Sequence, residues 1–216
     1  MNSNSLREKK ILITAGPTWV PIDDVRVISN ISSGEMGIFL ARQAAACGMK
    51  VDLFLGPVGV VSLGREIHVQ RFRYFQELLD LVKVALRAKK YDIILHAAAV
   101  SDYFSKPVRG KISSKKGNLF LKLKIAPKII ELMRCLNPEA TLVMFKLEGR
   151  VSDAILLKRA LEGMKKIGAD LVVANRFDNG HYRGFILGSR DILAKTTSKK
   201  ALSLNLFRIL EARAKR

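Results

Sequence analysis

Between residues 23 and 34 the chain sets Asp23, Asp24, Arg26 and Asn30 in a loop that runs into Ser32-Ser33-Gly34 and then a pattern of helical period. Hydroxyls and a glycine at a helix start make a place for an anion. The first backbone N–H groups have no partner inside the helix, and the dipole puts partial positive charge there. Ser32 or Ser33 is the expected N-cap, and Gly34 lets a ligand approach the main chain. The same residues also suit a plain capped helix after a long loop. Two features favour a site. The loop runs to about fifteen residues where two to six are usual. The Gly-x-Gly-x-x-Gly fingerprint is missing, with no glycine between Gly16 and Gly34, which argues against plain nicotinamide binding.

A second group lies where Asp92-Ile-Ile-Leu-His-Ala-Ala-Ala-Val100 ends in Ser101-Asp102-Tyr103. Small residues at the C-terminal end of a central parallel strand leave room for a flat ligand, although they also suit tight helix-on-sheet packing. His96 reads as a satisfied core histidine, and the three histidines (His68, His96, His181) assemble into no Ser/His/Asp or Cys/His set. Further on, Lys106, Arg109, Lys111, Lys115 and Lys116 precede Leu119-Phe-Leu-Lys-Leu-Lys-Ile125, whose alternation argues a strand with one buried face. The turn at Lys116-Gly117-Asn118 makes it a hairpin arm outside the parallel core. Its lysines either keep an edge strand soluble or clamp phosphates.

These groups need a scaffold, and the apolar runs supply one. Lys10–Ala15, 49–55, 67–71, 92–100, 141–147 and 170–175 read as buried strands, alternating with helical patterns over 33–47, 74–90, from Pro127, and over 152–167. A terminal hairpin over 185–195 and a basic amphipathic helix close the chain. The order implies right-handed βαβ crossovers in a Rossmann-like α/β fold: a doubly wound, mainly parallel sheet flanked by helices, with the hairpin arm added, and residues 1–216 as a single domain. With 49% hydrophobic residues the core can be sizeable.

The formal charge of +19 favours anionic partners: phosphorylated small molecules, nucleoside triphosphates or nucleic acid. Aromatics at 7% and basic residues scattered along the chain argue against nucleic acid. Cys47 and Cys135 read as buried thiols in a reducing compartment. No apolar run reaches the length of a membrane span and no signal peptide opens the chain, so a cytoplasmic location is expected.

In series, Ile13-Thr-Ala-Gly-Pro-Thr18, Pro21-Ile-Asp23, Val25-Arg26, Ser29-Asn30-x-Ser-Ser-Gly34-x-Met-Gly37, Gly56-Pro57, Ala97-Ala-Ala-Val-x-Asp102-Tyr103, Lys111-Ile112, Phe145-Lys-Leu-Glu148 and Asp170-Leu-Val-Val-Ala-Asn175 resemble the phosphopantothenoylcysteine synthetase family over roughly residues 9 to 210. The resemblance implies a ligase of coenzyme A biosynthesis. The 4′-phosphopantothenate carboxylate attacks a nucleoside triphosphate to give an acyl-nucleotide and pyrophosphate, and L-cysteine then forms the amide. It implies Ser32, Ser33 and Gly34 at the substrate phosphate, Arg26 and Asn30 at the substrate, and Asn30 on the acyl-nucleotide. Lys111 is implied as the catalytic cation against the triphosphate. Gly16, Ala98, Ala99, Asp102, Pro127, Lys128, Ile129, Phe145 and Lys166 complete the nucleotide contacts. Mg²⁺ is expected with the triphosphate and no metal cage of protein ligands. The family is dimeric, and the arm over 112–125 is the expected contact between subunits. About nine residues precede the first strand, so no flavin-dependent decarboxylase and no flavin are expected in this chain.

The sequence departs from the family at several points. Lys111-Ile-Ser-Ser-Lys115 stands where many bacterial members read Lys-Ile-Lys-Lys, Ala126-Pro-Lys-Ile129 stands for Asn-Pro-Asp-Ile, and Glu35 replaces a common lysine. Two later lysines align with Gly163 and Ile167, with Lys166 one register away. Nucleotide choice therefore stays open between CTP, expected ahead, and ATP. A relative that binds the ligands without activating them and a basic nucleic-acid-binding protein are the alternatives.

Overall fold

The computed structural model describes residues 5–113, 117–178 and 180–215. Its main sheet has eight strands: β1 (Lys10–Ala15), β4 (Lys50–Leu55), β5 (Ile67–Arg71), β6 (Ile93–His96), β9 (Thr141–Glu148), β10 (Leu171–Asp178), β11 (His181–Leu187) and β12 (Ile192–Thr196), in the order β12-β11-β10-β9-β6-β1-β4-β5. The six strands from β5 to β10 are parallel, and β11 and β12 add an antiparallel edge. Numbered among themselves, the parallel strands run 3-2-1-4-5-6, the Rossmann order, so chain direction switches between β1 and β6.

Alternation along each strand sends side chains to two layers. Ile11, Ile13, Leu95 and Val173 pack with α1 (Glu35–Ala46) and α5 (Lys199–Ala214). Leu12, Ile94, Leu142 and Val172 pack with α2 (Phe75–Ala88), α3 (Ile129–Leu136) and α4 (Asp153–Ile167). Residues 56–66 connect β4 to β5 without a helix, and α5 lies against α1 on that layer.

Local structure departs from expectation where backbone chemistry overrides side-chain preference. The long loop after β1 folds into a hairpin of β2 (Trp19–Pro21) and β3 (Val27–Ser29). Gly34, not Ser32 or Ser33, occupies the N-cap of α1 with φ +70°, a left-handed conformation that glycine adopts without steric cost. Lys128 is the N-cap of α3, which puts Pro127 ahead of the cap. The alternating stretch 119–125 forms a strand only at β8 (Lys124–Ile125), which pairs antiparallel with β7 (Tyr103–Phe104). Residues 117–125 are exposed on both sides of the alternation, so no buried face extends the strand. In the predicted turn, Lys116 falls outside the described residues, as does Lys115. β11 begins at His181, ahead of residue 185 where the terminal hairpin was expected to start. Cys135 is exposed, and Cys47, at the C-cap of α1, is only half-buried and packs against the core from its edge.

Candidate active site

At the switch between β1 and β6 the sheet opens into a cleft of about 760 Å³. One wall is the N-terminal end of α1. Gly37 lets that helix sit directly on β1, since an added Cβ would stand 2.2 Å from Ala15 Cβ. Gly34 packs under Val58, whose Cγ1 would be 2.8 Å from an added Cβ. The first main-chain bond of the helix runs from Ile38 N–H to the Gly34 carbonyl. The Ser32 and Ser33 hydroxyls accept from the amides of Gly34 and Glu35, both at 3.4 Å. The amides of Met36 and Gly37 have no partner among the described residues and lie at a helix start of the kind where an anion can accept from free N–H groups. Glu35 adds a negative charge at this wall. Lys199, at the start of α5, offsets it through a 2.6 Å ion pair.

Ala97, Ala98 and Ala99 form the floor. The strand pairing stops at His96, but Ala97 N–H still donates to Thr14 O at 3.0 Å and Ala99 N–H to Gly16 O at 2.9 Å, so the segment runs on along the backbone that follows β1. The other wall comes from Pro127, Lys128, Ile129 and α4. Lys128 Nζ pairs with Asp102 Oδ1 at 2.5 Å across the mouth.

Of the residues singled out from the sequence, Ser32, Ser33, Gly34, Ala98, Ala99, Asp102, Pro127, Lys128, Ile129, Phe145 and Lys166 all line this cleft. Four stand elsewhere. Gly16 lies beneath the loop with φ +79°, pressed against Gly56. Asn30 sits at the rim, where its Nδ2 donates to the carbonyls of Ala99 at 3.1 Å and Val100 at 3.2 Å, leaving Oδ1 as its uncommitted atom. Arg26 is turned to Asp23 Oδ2 at 2.8 Å and to the Ile112 carbonyl at 3.1 Å. Lys111 is exposed on a segment fastened to the β2–β3 hairpin: Asp24 accepts from Gly110 N–H and Asp23 from Ile112 N–H. Arg26 and Lys111 thus share one arm beside the cleft.

Sequence reasoning missed His96, Gly163, Asn175, Tyr182 and Lys199, which also line the cleft. His96 has a partner and is buried, as expected, and its ring also borders the cleft. Its Nδ1 is 2.8 Å from Thr14 Oγ1 while the ring reaches the cleft, and burial pushes its pKa down to about 4. Burial also raises the Tyr182 phenol, which stays protonated. The strand ends that carry Asn175 and Tyr182 gave a signal, since ligands in such sheets bind beyond the C-terminal edges. Lys199 gave none. Among the described residues no group of three His, Cys, Asp or Glu side chains could hold a metal ion.

A parallel sheet in this order, with a helix tip and a small-residue floor meeting at its switch point, defines a Rossmann-like α/β protein with a ligand cleft at the carboxyl edge. Within that class the chain belongs to the family described as the DNA/pantothenate metabolism flavoprotein C-terminal domain, which matches residues 6–206. The Coenzyme A biosynthesis bifunctional protein CoaBC of Thermococcus kodakarensis is 38% identical over 177 residues, 81% of this chain and 43% of that protein. The CoaBC protein of Methanocaldococcus jannaschii is 32% identical over 208 residues, 93% of this chain and 50% of that protein. The chain therefore spans about half the length of the curated relatives it matches. Among solved structures, the DNA/pantothenate metabolism flavoprotein of Streptococcus pneumoniae has a TM-score of 0.85 at 26% identity, covering 95% of this chain and 99% of that one.

Proposed function

We propose that the chain is a phosphopantothenate–cysteine ligase of coenzyme A biosynthesis, acting in the cytoplasm with residues 1–216 as one catalytic unit. One observation carries the reading: the free amides of Met36 and Gly37 and the alanine floor open into the same cleft, so a phosphorylated acid and a nucleotide can meet there. The 4′-phosphopantothenate phosphate docks on the α1 tip with the Ser32 and Ser33 hydroxyls. Its carboxylate attacks the nucleotide α-phosphorus, the bond to pyrophosphate breaks, and an acyl-nucleotide forms. The cysteine amine then attacks the acyl carbon, the nucleoside monophosphate leaves, and the amine gives up a proton. Asn30 Oδ1 lies at the rim where the amine arrives. Asp102, Lys128, Ile129, Phe145 and Lys166 hold the nucleotide, and Arg26 and Lys111 supply positive charge from the arm that carries them. Mg²⁺ would accompany the triphosphate and offset its charge, as a hard cation suits phosphate oxygens. No flavin takes part, because neither step transfers electrons.

We take CTP ahead of ATP as the nucleotide. Pyrophosphate release and amide formation, measured with 4′-phosphopantothenate, L-cysteine, Mg²⁺ and each nucleotide in turn, test the activity and the choice together. A second reading rests on Glu35, Gly163 and Ile167 standing where family lysines are expected: a relative that binds both ligands and releases no pyrophosphate. Apolar side chains on the arm, among them Ile28, Phe104 and Ile125, are exposed. We take this surface as the contact of a homodimer, which light scattering tests.

A further inference from the structure

His96 lies on the sheet face that carries Leu12, Ile94 and Met144, with Thr14 beside it on β1 and Met144 on β9. It therefore faces the α3 and α4 side of the cleft. That side is apolar at depth: Ala98, Ile129, Ile130, Met144 and Ile167. Gly163 on α4 keeps it open, because an added Cβ there would stand 3.2 Å from Met144 Cε. A glycine inside a helix costs about 1 kcal/mol relative to alanine, so the width has been kept against local preference. Of the charged residues on this side, Asp102, Lys128, Glu131, Arg159 and Lys166 are exposed at the rim, and the half-buried Lys146 is paired with Glu148 Oε1 at 3.2 Å. A narrow apolar slot with one imidazole at its base fits a flat heterocycle whose edge meets that ring.

The hydrogen bonds around Thr14 settle which ring nitrogen carries the proton. Thr14 is fully buried, and its Oγ1 accepts from Ala98 N–H at 3.3 Å. The hydroxyl proton still needs an acceptor, and a buried O–H without one costs about 1–3 kcal/mol. Among the described residues His96 Nδ1, at 2.8 Å, is the acceptor within reach. Nδ1 accepts, so the neutral ring carries its proton on Nε2. That atom has no partner among the described residues and belongs to a ring that lines the cleft.

We propose that His96 is the residue that reads the nucleobase: its Nε2–H, fixed in the donor state by Thr14, gives a hydrogen bond to a ring nitrogen or carbonyl oxygen of the base seated in this slot. The inference rests on the nucleotide-dependent reading above. A donor buried in an apolar slot rejects bases that present no acceptor to it, because the N–H would then stay unsatisfied.

Calorimetric binding to the full chain tests it, with CTP, ATP, UTP, GTP and inorganic tripolyphosphate, each with Mg²⁺, on the wild type, His96→Leu, His96→Gln and Thr14→Val. The leucine variant is expected to lose about tenfold in affinity for the preferred nucleotide and to flatten the order among the four, while tripolyphosphate binds unchanged. Glutamine, a neutral donor of similar reach, restores most of the loss. Thr14→Val leaves the imidazole in place and frees its tautomer, so it reports even if the leucine variant does not fold. It is expected to lose selectivity about threefold. Unchanged nucleotide affinity and order in these variants, or an equal loss for tripolyphosphate, overturns the assignment to the base. A wild type that binds none of the four nucleotides overturns the ligase reading and this inference together, whereas failure of the variants alone removes only His96.

Discussion

Gly37→Ala separates the stability of the fold from the placement of its anion wall. The added methyl would stand 2.2 Å from Ala15 Cβ, and carbon atoms pack at about 3.5–4.0 Å, so α1 must lift from β1 by more than about 1 Å. Overpacking of this kind costs about 1–3 kcal/mol, and the better helix propensity of alanine returns up to about 1 kcal/mol. A net loss of about 1–2 kcal/mol lowers Tm by roughly 2–8 °C in a chain of this size. Function suffers more than stability. The lifted helix carries the free amides of Met36 and Gly37 with it, and a misplacement of about 1 Å costs on the order of 100-fold. Thermal denaturation gives the first quantity. Pyrophosphate release at saturating nucleotide with 4′-phosphopantothenate varied gives the second. The drop should fall on kcat/KM for phosphopantothenate while nucleotide affinity changes less than about threefold, because the proposed nucleotide side is built on α3 and α4 rather than on α1. A variant with a raised Tm and kcat/KM within about threefold of wild type would refute the reasoning.

Asn30→Asp sets a carboxylate against the Ala99 and Val100 carbonyls that now accept from Nδ2, and rapid-quench assay of amide formation should show a loss of about 100-fold or more; near-normal turnover removes Asn30 from the mechanism. Glu35→Gln releases Lys199 from its ion pair and takes a negative charge from the α1 tip. Phosphopantothenate should bind about two- to fivefold tighter at low salt, with the gain fading as salt rises, and weaker binding would contradict the anion wall. Burial works to raise Asp52, but hydrogen bonds from Lys89, Tyr91 and His68 and the charge of Lys89 outweigh it and hold the carboxyl below its usual range. A lowered folded-state value gives stability that is full above the unfolded carboxylate's pKa, near 4, and is lost as pH falls through the folded one. Urea unfolding of Asp52→Asn should show a loss of roughly 2 kcal/mol at pH 7 that shrinks below about pH 4, and a loss that did not vary with pH would count against the network.

Most of the scaffold was legible because the buried parallel strands are largely apolar and four of the six are followed by a helix before the next parallel strand, so the doubly wound order follows from alternation and handedness. The same logic failed on the arm, where Leu119 to Ile125 alternate without a core to face. It misplaced the start of α1 as well: hydroxyl preference points to Ser32 or Ser33, while the left-handed turn at Gly34 leaves those hydroxyls to cover amides from outside the cap. The cleft residues of the motifs came together because they sit at strand ends and helix starts. Asn30, Arg26 and Lys111 did not join them, since their neighbours are backbone groups and an arm that only the folded chain brings near. Lys199 and Glu35 lie 164 residues apart, and no spacing rule connects them. For His96 the sequence foresaw a buried, partnered ring but not its place on the cleft wall, because a strand position says which layer a side chain enters and not whether that layer is filled at that height.

The crossover from β4 to β5 lacks a helix, and α5 stands against α1 on that layer with Leu202, Leu206, Phe207 and Leu210 buried. Leu6 shares that core, and Ser5 Oγ donates to the Glu211 carbonyl at 3.1 Å. During synthesis, then, the first strand and helix leave the ribosome with a greasy side that nothing covers until residues 199–214 have emerged. The α1 layer must wait for its final helix, while the α2–α4 layer can close without it.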